Sequence, residues 1–187
     1  LVLGEAGSSF TFEVAEKNTA GHSAKASVVP QWFDLPHQIN ATLPNIIADD
    51  AAYVLSRAVQ FFLPGEPQIY YVGLLNGMDD RKLFDETGQG RDVNRHIYSP
   101  AEIEKALESD VTQAILGLVR LRNHRVFEGD FSWQQLSSNS MSLTWRNDEA
   151  ELELKFKLDG KSAAFEIRLA EAGASKSFSS LADLAAI

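Results

Sequence analysis

The sequence predicts an α/β protein in which helices flank one buried strand and a small antiparallel β unit closes the chain. Three observations predict it. Two stretches with helical spacing carry capping residues at their starts, one run between them is apolar on both faces, and from about residue 129 apolar and polar residues alternate.

In chain order, residues 1–48 show no sustained period. Small residues crowd "TAGHSAKAS" (19–27), and Pro30, Pro36 and Pro44 punctuate the segment after it, so a short helical piece at most and then a long loop are expected. Asp49 and Asp50 are placed to cap a helix reaching Leu63, with Val54, Leu55, Ala58, Val59, Phe61 and Phe62 on its apolar face, and Pro64-Gly65 stops it. The run "PQIYYVGLL" (67–75) suits a buried parallel strand with neighbours on both sides, and core packing is expected for Tyr70 and Tyr71. "SPAE" (99–102) reads as a capping box with proline at the first helical position. A second helix is expected from Asp110 to about His124, with Ala114, Ile115, Leu118 and Val119 facing inward. Then Met141, Leu143 and Trp145, the even positions Leu152 to Leu158, and Phe165, Ile167 and Leu169 alternate with polar residues, and "NDE" (147–149) and "DGK" (159–161) supply hairpin turns. One parallel strand cannot make a sheet alone, because both its edges would expose unpaired backbone. The α/β part therefore reads as the tail of a larger barrel or sheet whose other strands lie outside this sequence.

The 187 residues are 44% hydrophobic and 23% charged, ordinary for a globular chain, and the net charge is −9. An acidic chain without a basic face argues against nucleic acid or an anionic membrane as partner. It leaves room for an anionic substrate held by local arginines. There is no cysteine, hence no disulfide framework and no thiolate zinc site, and a reducing cytoplasm fits. No apolar run is long enough to span a bilayer, and no basic-then-apolar leader opens the chain. The start at Leu1-Val2-Leu3, without methionine, fits a processed terminus or part of something longer.

Most of the chemistry is concentrated in "GRDVNRHIYSP" (90–100), a loop with neither helical nor strand period. Arg95 is either a binding group, a salt-bridge partner or a surface arginine. Arg91, Asp92 and Asn94 are expected to order the loop around it through backbone hydrogen bonds. His22, His96 and His124 do not have metal-ligand spacing, and structural or surface roles are expected for them. Trp133 and Trp145 either stack on a sugar or pack in the β core, and their alternating context favours the core. The glycines at 65, 73, 77 and 90 form no phosphate-cradling pattern.

The run "RAVQFFLPGEPQIYYVGLLNGMDD" (57–80) followed by "GRDVNRH" (90–96) resembles the sucrose-phosphorylase branch of the α-amylase superfamily. The likeness covers roughly residues 20–135, and the β tail by pattern only. It implies the C-terminal part of a (β/α)8 barrel, with the last strand and flanking helices in residues 1–128, followed by a small antiparallel β domain in 129–187. It also implies a retaining glucosyl transfer from sucrose or a related α-glucoside to inorganic phosphate, giving α-glucose 1-phosphate in the cytoplasm, with no metal or organic cofactor. The remaining barrel segment of the same enzyme becomes the necessary partner. Such chemistry needs two carboxylates facing one anomeric carbon. The family's aspartate nucleophile, glutamate acid/base and stabilising aspartate have no matching motif here, so no catalytic residue is assigned and the chain alone is expected to be inactive.

By the same resemblance Arg95 pairs with an aspartate elsewhere in the barrel and binds the 4-hydroxyl of the transferred glucose, a task its rigid fork of donors suits. The stretch "FDLPHQIN" (33–40) matches the family's acceptor loop, which places Asp34 and Gln38 on the acceptor sugar. Pro36-His37 stand where sucrose phosphorylases usually carry one tyrosine. His37 is then either a ligand for phosphate or carboxylate or a solvent-exposed loop histidine. That change leaves the acceptor open among fructose, fructose 6-phosphate, glycerol and glycerate. A hydrolase or transglucosidase of the same superfamily is the nearest rival reading, and a non-catalytic carbohydrate-binding β unit the more distant one.

Overall fold

A computed structural model describes residues 40–159 and 162–187. Residues 43–47 (α1), 50–62 (α2), 71–74 (α3), 81–87 (α4), 100–107 (α5), 110–122 (α6) and 181–185 (α7) are α-helical, and the strands are 130–137 (β1), 140–146 (β2), 150–159 (β3), 162–171 (β4) and 174–178 (β5). Two compact units divide them: the stretch up to residue 48 with 77–97, and 49–76 with 98–187.

The larger unit is a layer of helices on one face of a sheet. Its strands follow one another in the order β1-β2-β3-β4-β5, every pair antiparallel. Alternation then sorts the side chains: Leu143, Leu154 and Ile167 lie in one cross-strand row, and Trp145, Leu152 and Leu169 in the next. Leu143, Leu152, Leu154 and Ile167 are buried, whereas Glu153, Lys155 and Arg168 stand on the opposite, polar face. At the β2–β3 turn the Asn147 side-chain oxygen accepts from the amides of Glu149 and Ala150, which closes the hairpin.

Helix α2 starts where Asp49 accepts a bond from the Ala52 amide at 2.7 Å, and ends where Leu63 turns extended before Pro64 and Gly65, the latter at φ 111°. It buries Tyr53, Val54, Leu55, Ala58, Phe61 and Phe62 against β2, β3, β4 and α6. Each large side chain so covered contributes about 1.5–3 kcal/mol. The expected capping box holds at α5, where Ser99 and Glu102 satisfy each other's amides. Helix α6 begins one residue earlier than Asp110 suggests: Ser109 is the cap, accepting from the Thr112 amide at 3.2 Å, and Asp110 takes the first helical position, where its charge meets the positive end of the dipole.

Trp145 settles one alternative. It is buried, and its Nε1 donates to the Phe62 carbonyl at the end of α2 at 2.6 Å. Arg122 donates to the Gly65 carbonyl at 2.7 Å while lying over the Phe127 ring, and burial pushes its pKa down from the ordinary arginine value. Trp145 thus satisfies a carbonyl that the end of α2 leaves unpaired, and Arg122 one in the turn just beyond it.

Several expectations need correction. Residues 67–75 form no strand: 67–70 are irregular and 71–74 make the turn α3, with Leu74 and Leu75 amides bonded back to the Tyr70 and Tyr71 carbonyls. None of the strands among the described residues is parallel, so nothing offers this run the two edges a buried parallel strand needs, and the backbone pairs with itself. For the same reason Tyr70 and Tyr71 are 54% and 40% exposed instead of core. Trp133 is 63% exposed: it shares a face with Leu143, but β1 is an edge strand. The loop between residues 76 and 98 contains α4 and a 3-10 helix at 90–94, and the last residues of the chain add α7, which packs on α6. Residues 43–47, expected in a loop, form α1 with Thr42 as its cap and Pro44 in its first turn. Among the described residues no helix is long and apolar enough to cross a membrane.

Candidate functional site

The polar residues singled out in the sequence fall in the smaller unit, and two adjacent aspartates organise it. Asp80 ends the irregular stretch before α4 and caps it, accepting from the Leu83 amide at 2.9 Å. Its other carboxylate oxygen meets His96 Nδ1 at 2.6 Å, and its own amide donates to the Val93 carbonyl at 2.7 Å. One residue therefore ties the start of α4 to the middle and the far end of the 90–96 segment. The Leu83 amide is the largest influence and holds the Asp80 carboxyl below the usual aspartate range; burial opposes it, and the His96 contact and nearby positive charge add to the lowering.

Asp79 turns the other way. Its side chain is 4% exposed, one oxygen accepts from the Thr42 amide at 2.7 Å, and the other lies 4.0 Å from the Arg81 guanidinium. Around Thr42 the polar residues Asn40 and Asn45 are buried too, and Thr42 Oγ1 caps α1 through the Asn45 amide at 3.4 Å. So Thr42, just after the 33–40 stretch, is joined to the residues just before α4 by a side chain, Asp79.

The loop itself is compact. Gly90–Asn94 form a 3-10 helix whose one buried residue is Val93. Arg91 is exposed and donates to Gln89 Oε1 at 3.3 Å. Asp92 acts through its backbone, donating to the Gln89 carbonyl at 2.9 Å and accepting from the Arg95 amide at 3.2 Å, and Asn94 is half-buried at the helix end. Arg95 comes next as the cap with an exposed side chain. No described residue lies within hydrogen-bond or ion-pair distance of its guanidinium.

No protein-family model matches the chain. It is 42% identical over 142 residues to the sucrose phosphorylase of Bifidobacterium adolescentis, an overlap covering 74% of this chain and 28% of that protein. With the sucrose 6(F)-phosphate phosphorylase of Thermoanaerobacterium thermosaccharolyticum it shares 43% identity over 124 residues, 65% of this chain and 25% of the relative. The crystal structure of the sucrose 6F-phosphate phosphorylase from Thermoanaerobacter thermosaccharolyticum superposes on 78% of the chain and 30% of that structure, at a TM-score of 0.71 and 36% identity. The chain is homologous to the C-terminal portion of the sucrose phosphorylases.

Like that portion, it combines helices with a five-stranded antiparallel sheet, a mixed α/β arrangement. The chain spans 28% and 25% of the length of these two relatives. Of the residues assigned by resemblance to sucrose phosphorylases, Asp34, His37 and Gln38 lie outside the described residues, whereas Arg91, Asp92, Asn94 and Arg95 share the 90–96 loop. Sequence reasoning missed Asp79, Asp80 and the His96 pairing. An aspartate three residues ahead of the apolar Leu83-Phe84 is a readable cap signal for Asp80. Nothing local marks Asp79, whose partner is 37 residues away. Among the described residues no group of three or more His, Cys, Asp or Glu is placed to hold a metal ion.

Proposed function

We propose that this chain is the C-terminal part of a retaining α-glucoside phosphorylase that moves a glucosyl group from sucrose, or a close relative of it, to inorganic phosphate. The observation that carries this reading is the identity of 42–43% with two phosphorylases across most of the chain. In this reading residues 1–128 belong to a (β/α)8 barrel and residues 129–187 are its appended β domain. The double displacement uses carboxylates from the earlier part of the barrel, so the segment completing that barrel is the chain's first partner.

Arg95 holds the transferred glucose. Its exposed guanidinium, presented from a loop that Asp80, Asp92 and Val93 fix through their backbones, supports that role. Arg91, Asp92 and Asn94 keep the loop in shape, and Asp34, His37 and Gln38 form the acceptor and phosphate side. The acceptor leaving sucrose is fructose. Fructose 6-phosphate, glycerol and glycerate are the alternatives, because Pro36-His37 stand where sucrose phosphorylases usually carry one tyrosine and one relative is named for sucrose 6(F)-phosphate.

The test is phosphorolysis by the intact protein. Release of α-glucose 1-phosphate from sucrose, dependent on added phosphate, is the expected result. Release of free glucose at the same rate without phosphate would assign it to the hydrolases instead. The carbohydrate-binding reading of the β unit loses one of its two tryptophans, since the Trp145 ring is enclosed and its nitrogen engaged.

A further inference from the structure

No described residue holds the Arg95 guanidinium, so among the described residues whatever aims it acts on its backbone. Three contacts do so. The Arg95 amide donates to the Asp92 carbonyl at 3.2 Å. Two residues before Arg95, the Val93 carbonyl accepts from the Asp80 amide at 2.7 Å. One residue after it, His96 Nδ1 meets Asp80 Oδ2 at 2.6 Å. Two of the three contacts come from a single residue, Asp80, and they straddle Arg95.

Asp80 is anchored in turn, because its Oδ1 accepts from the Leu83 amide in the first turn of α4 at 2.9 Å. That amide leads the influences that keep the carboxyl below the usual aspartate range, so at neutral pH the group is ionised and can only accept. The shared hydrogen therefore sits on His96 Nδ1, and a ring N–H donating to a carboxylate makes a charge-assisted bond. The two side chains are 30% and 16% exposed, which limits competition from water. A long side chain swings widely for a small change at its root, so holding the residues on both sides of Arg95 narrows where its fork can point. Arg91 in the same loop has no such bracket. Its guanidinium is engaged by Gln89 Oε1 at 3.3 Å, and Asp92, the residue after it, bonds through its backbone.

We propose that Asp80 and His96 are positioning residues, a pair that touches no substrate itself and fixes the direction in which Arg95 presents its guanidinium to the glucosyl group. The ligand in this statement rests on the phosphorylase reading; the bracketing of Arg95 does not.

Variants of the intact protein separate the pair from a helix cap. Asp80→Ser keeps an oxygen for the Leu83 amide and removes the one that faces His96. His96→Leu removes the ring donor, and His96→Asn returns an N–H donor near the position of Nδ1. The kcat/KM for phosphorolysis of sucrose is expected to fall about tenfold in Asp80→Ser and in His96→Leu, no further in the double variant, and to recover to within about twofold in His96→Asn. In the same proteins the backbone order parameter of Arg95, read by amide nitrogen relaxation, should drop in the first two variants and return in the third. Additive losses in the double variant, an Asn variant as impaired as the Leu one, or an Arg95 order parameter that never moves would overturn the proposal. A wild type whose Arg95 responds as stated but that makes no glucose 1-phosphate refutes the phosphorylase reading and leaves the positioning pair intact. A working phosphorylase whose Arg95 stays ordered in both single variants does the reverse.

Discussion

The two units bury different chemistry. In the larger one the buried interior is almost wholly apolar, from Phe62 and Ile115 to Leu152, Leu154 and Ile167. In the described part of the smaller one Val93 and Pro44 are buried apolar side chains, and most of the others tucked away in the same unit are polar: Asn40, Thr42, Asn45 and Asp79. The difference teaches where stability and recognition reside. Apolar burial is non-directional and additive over area, so it holds a scaffold. Buried polar groups are favourable only with partners in place, so they specify one geometry and respond to whatever supplies the missing partner.

That contrast can be broken most severely at Trp145. Its replacement by Ala removes a buried ring and the donor to the Phe62 carbonyl, and is expected to cost about 4 kcal/mol, read as a lower urea midpoint by far-ultraviolet circular dichroism. A loss below about 1 kcal/mol would mean the aromatic cluster with Phe127 and Phe131 is not the keystone of the sheet–helix contact. Next comes Gly117 in α6, where an added Cβ would run into the Leu184 carbonyl of α7, a backbone atom that cannot swing aside. Gly117→Ala is expected to cost about 2 kcal/mol, with α7 displaced, and amide exchange of residues 181–187 is the measurement.

Tyr53→Phe probes a polar contact inside the apolar unit. The Tyr53 hydroxyl donates to the Gly73 carbonyl at 2.5 Å and accepts from Arg57 at 3.1 Å, so removing it should destabilise by about 1–2 kcal/mol. Equal thermal midpoints for Tyr53→Phe and wild type would refute the clamp on the turn 71–74.

Asp80→Asn should act on the smaller unit alone, at about 1 kcal/mol for a weakened helix cap, with faster amide exchange at 81–96 and an unchanged midpoint for the sheet. Its pH dependence has a definite sign. The Leu83 amide and His96 hold the Asp80 pKa below its unfolded value. Its contribution is therefore complete above the ordinary carboxylate range and fades as pH falls through the depressed folded value. Exchange at 81–96 should accelerate on acidification in wild type and much less so in Asp80→Asn. The smallest effect is expected at Trp133, whose exposed ring should tolerate Ala within about 0.5 kcal/mol.

Legibility differed between the units for the same reason that their chemistry does. Helices α2, α5 and α6 and strands β2–β4 were readable because each is announced by neighbours: Asp49 before an apolar stripe, Ser99-Pro100-Ala101-Glu102, and alternation from Met141 to Leu169. The Arg91–Arg95 segment was readable as a dense loop, though not as a 3-10 helix, since a single such turn has no period to detect. Asp79 was invisible as a buried group, because adjacent charged residues read as surface.

By itself, the sequence determined the capped helices, the alternating strands and the kinship with sucrose phosphorylases, all of which are carried by residues within a few positions of one another or by identity along the chain. Tertiary structure alone decided that 67–75 coils instead of pairing, that Tyr70, Tyr71 and Trp133 face outward, that Trp145 locks onto Phe62 across 83 residues, and that Asp80 reaches His96 across 16. A local pattern states what a segment prefers when its surroundings agree. Whether a strand finds an edge, or a carboxylate a donor, depends on groups that only folding brings near.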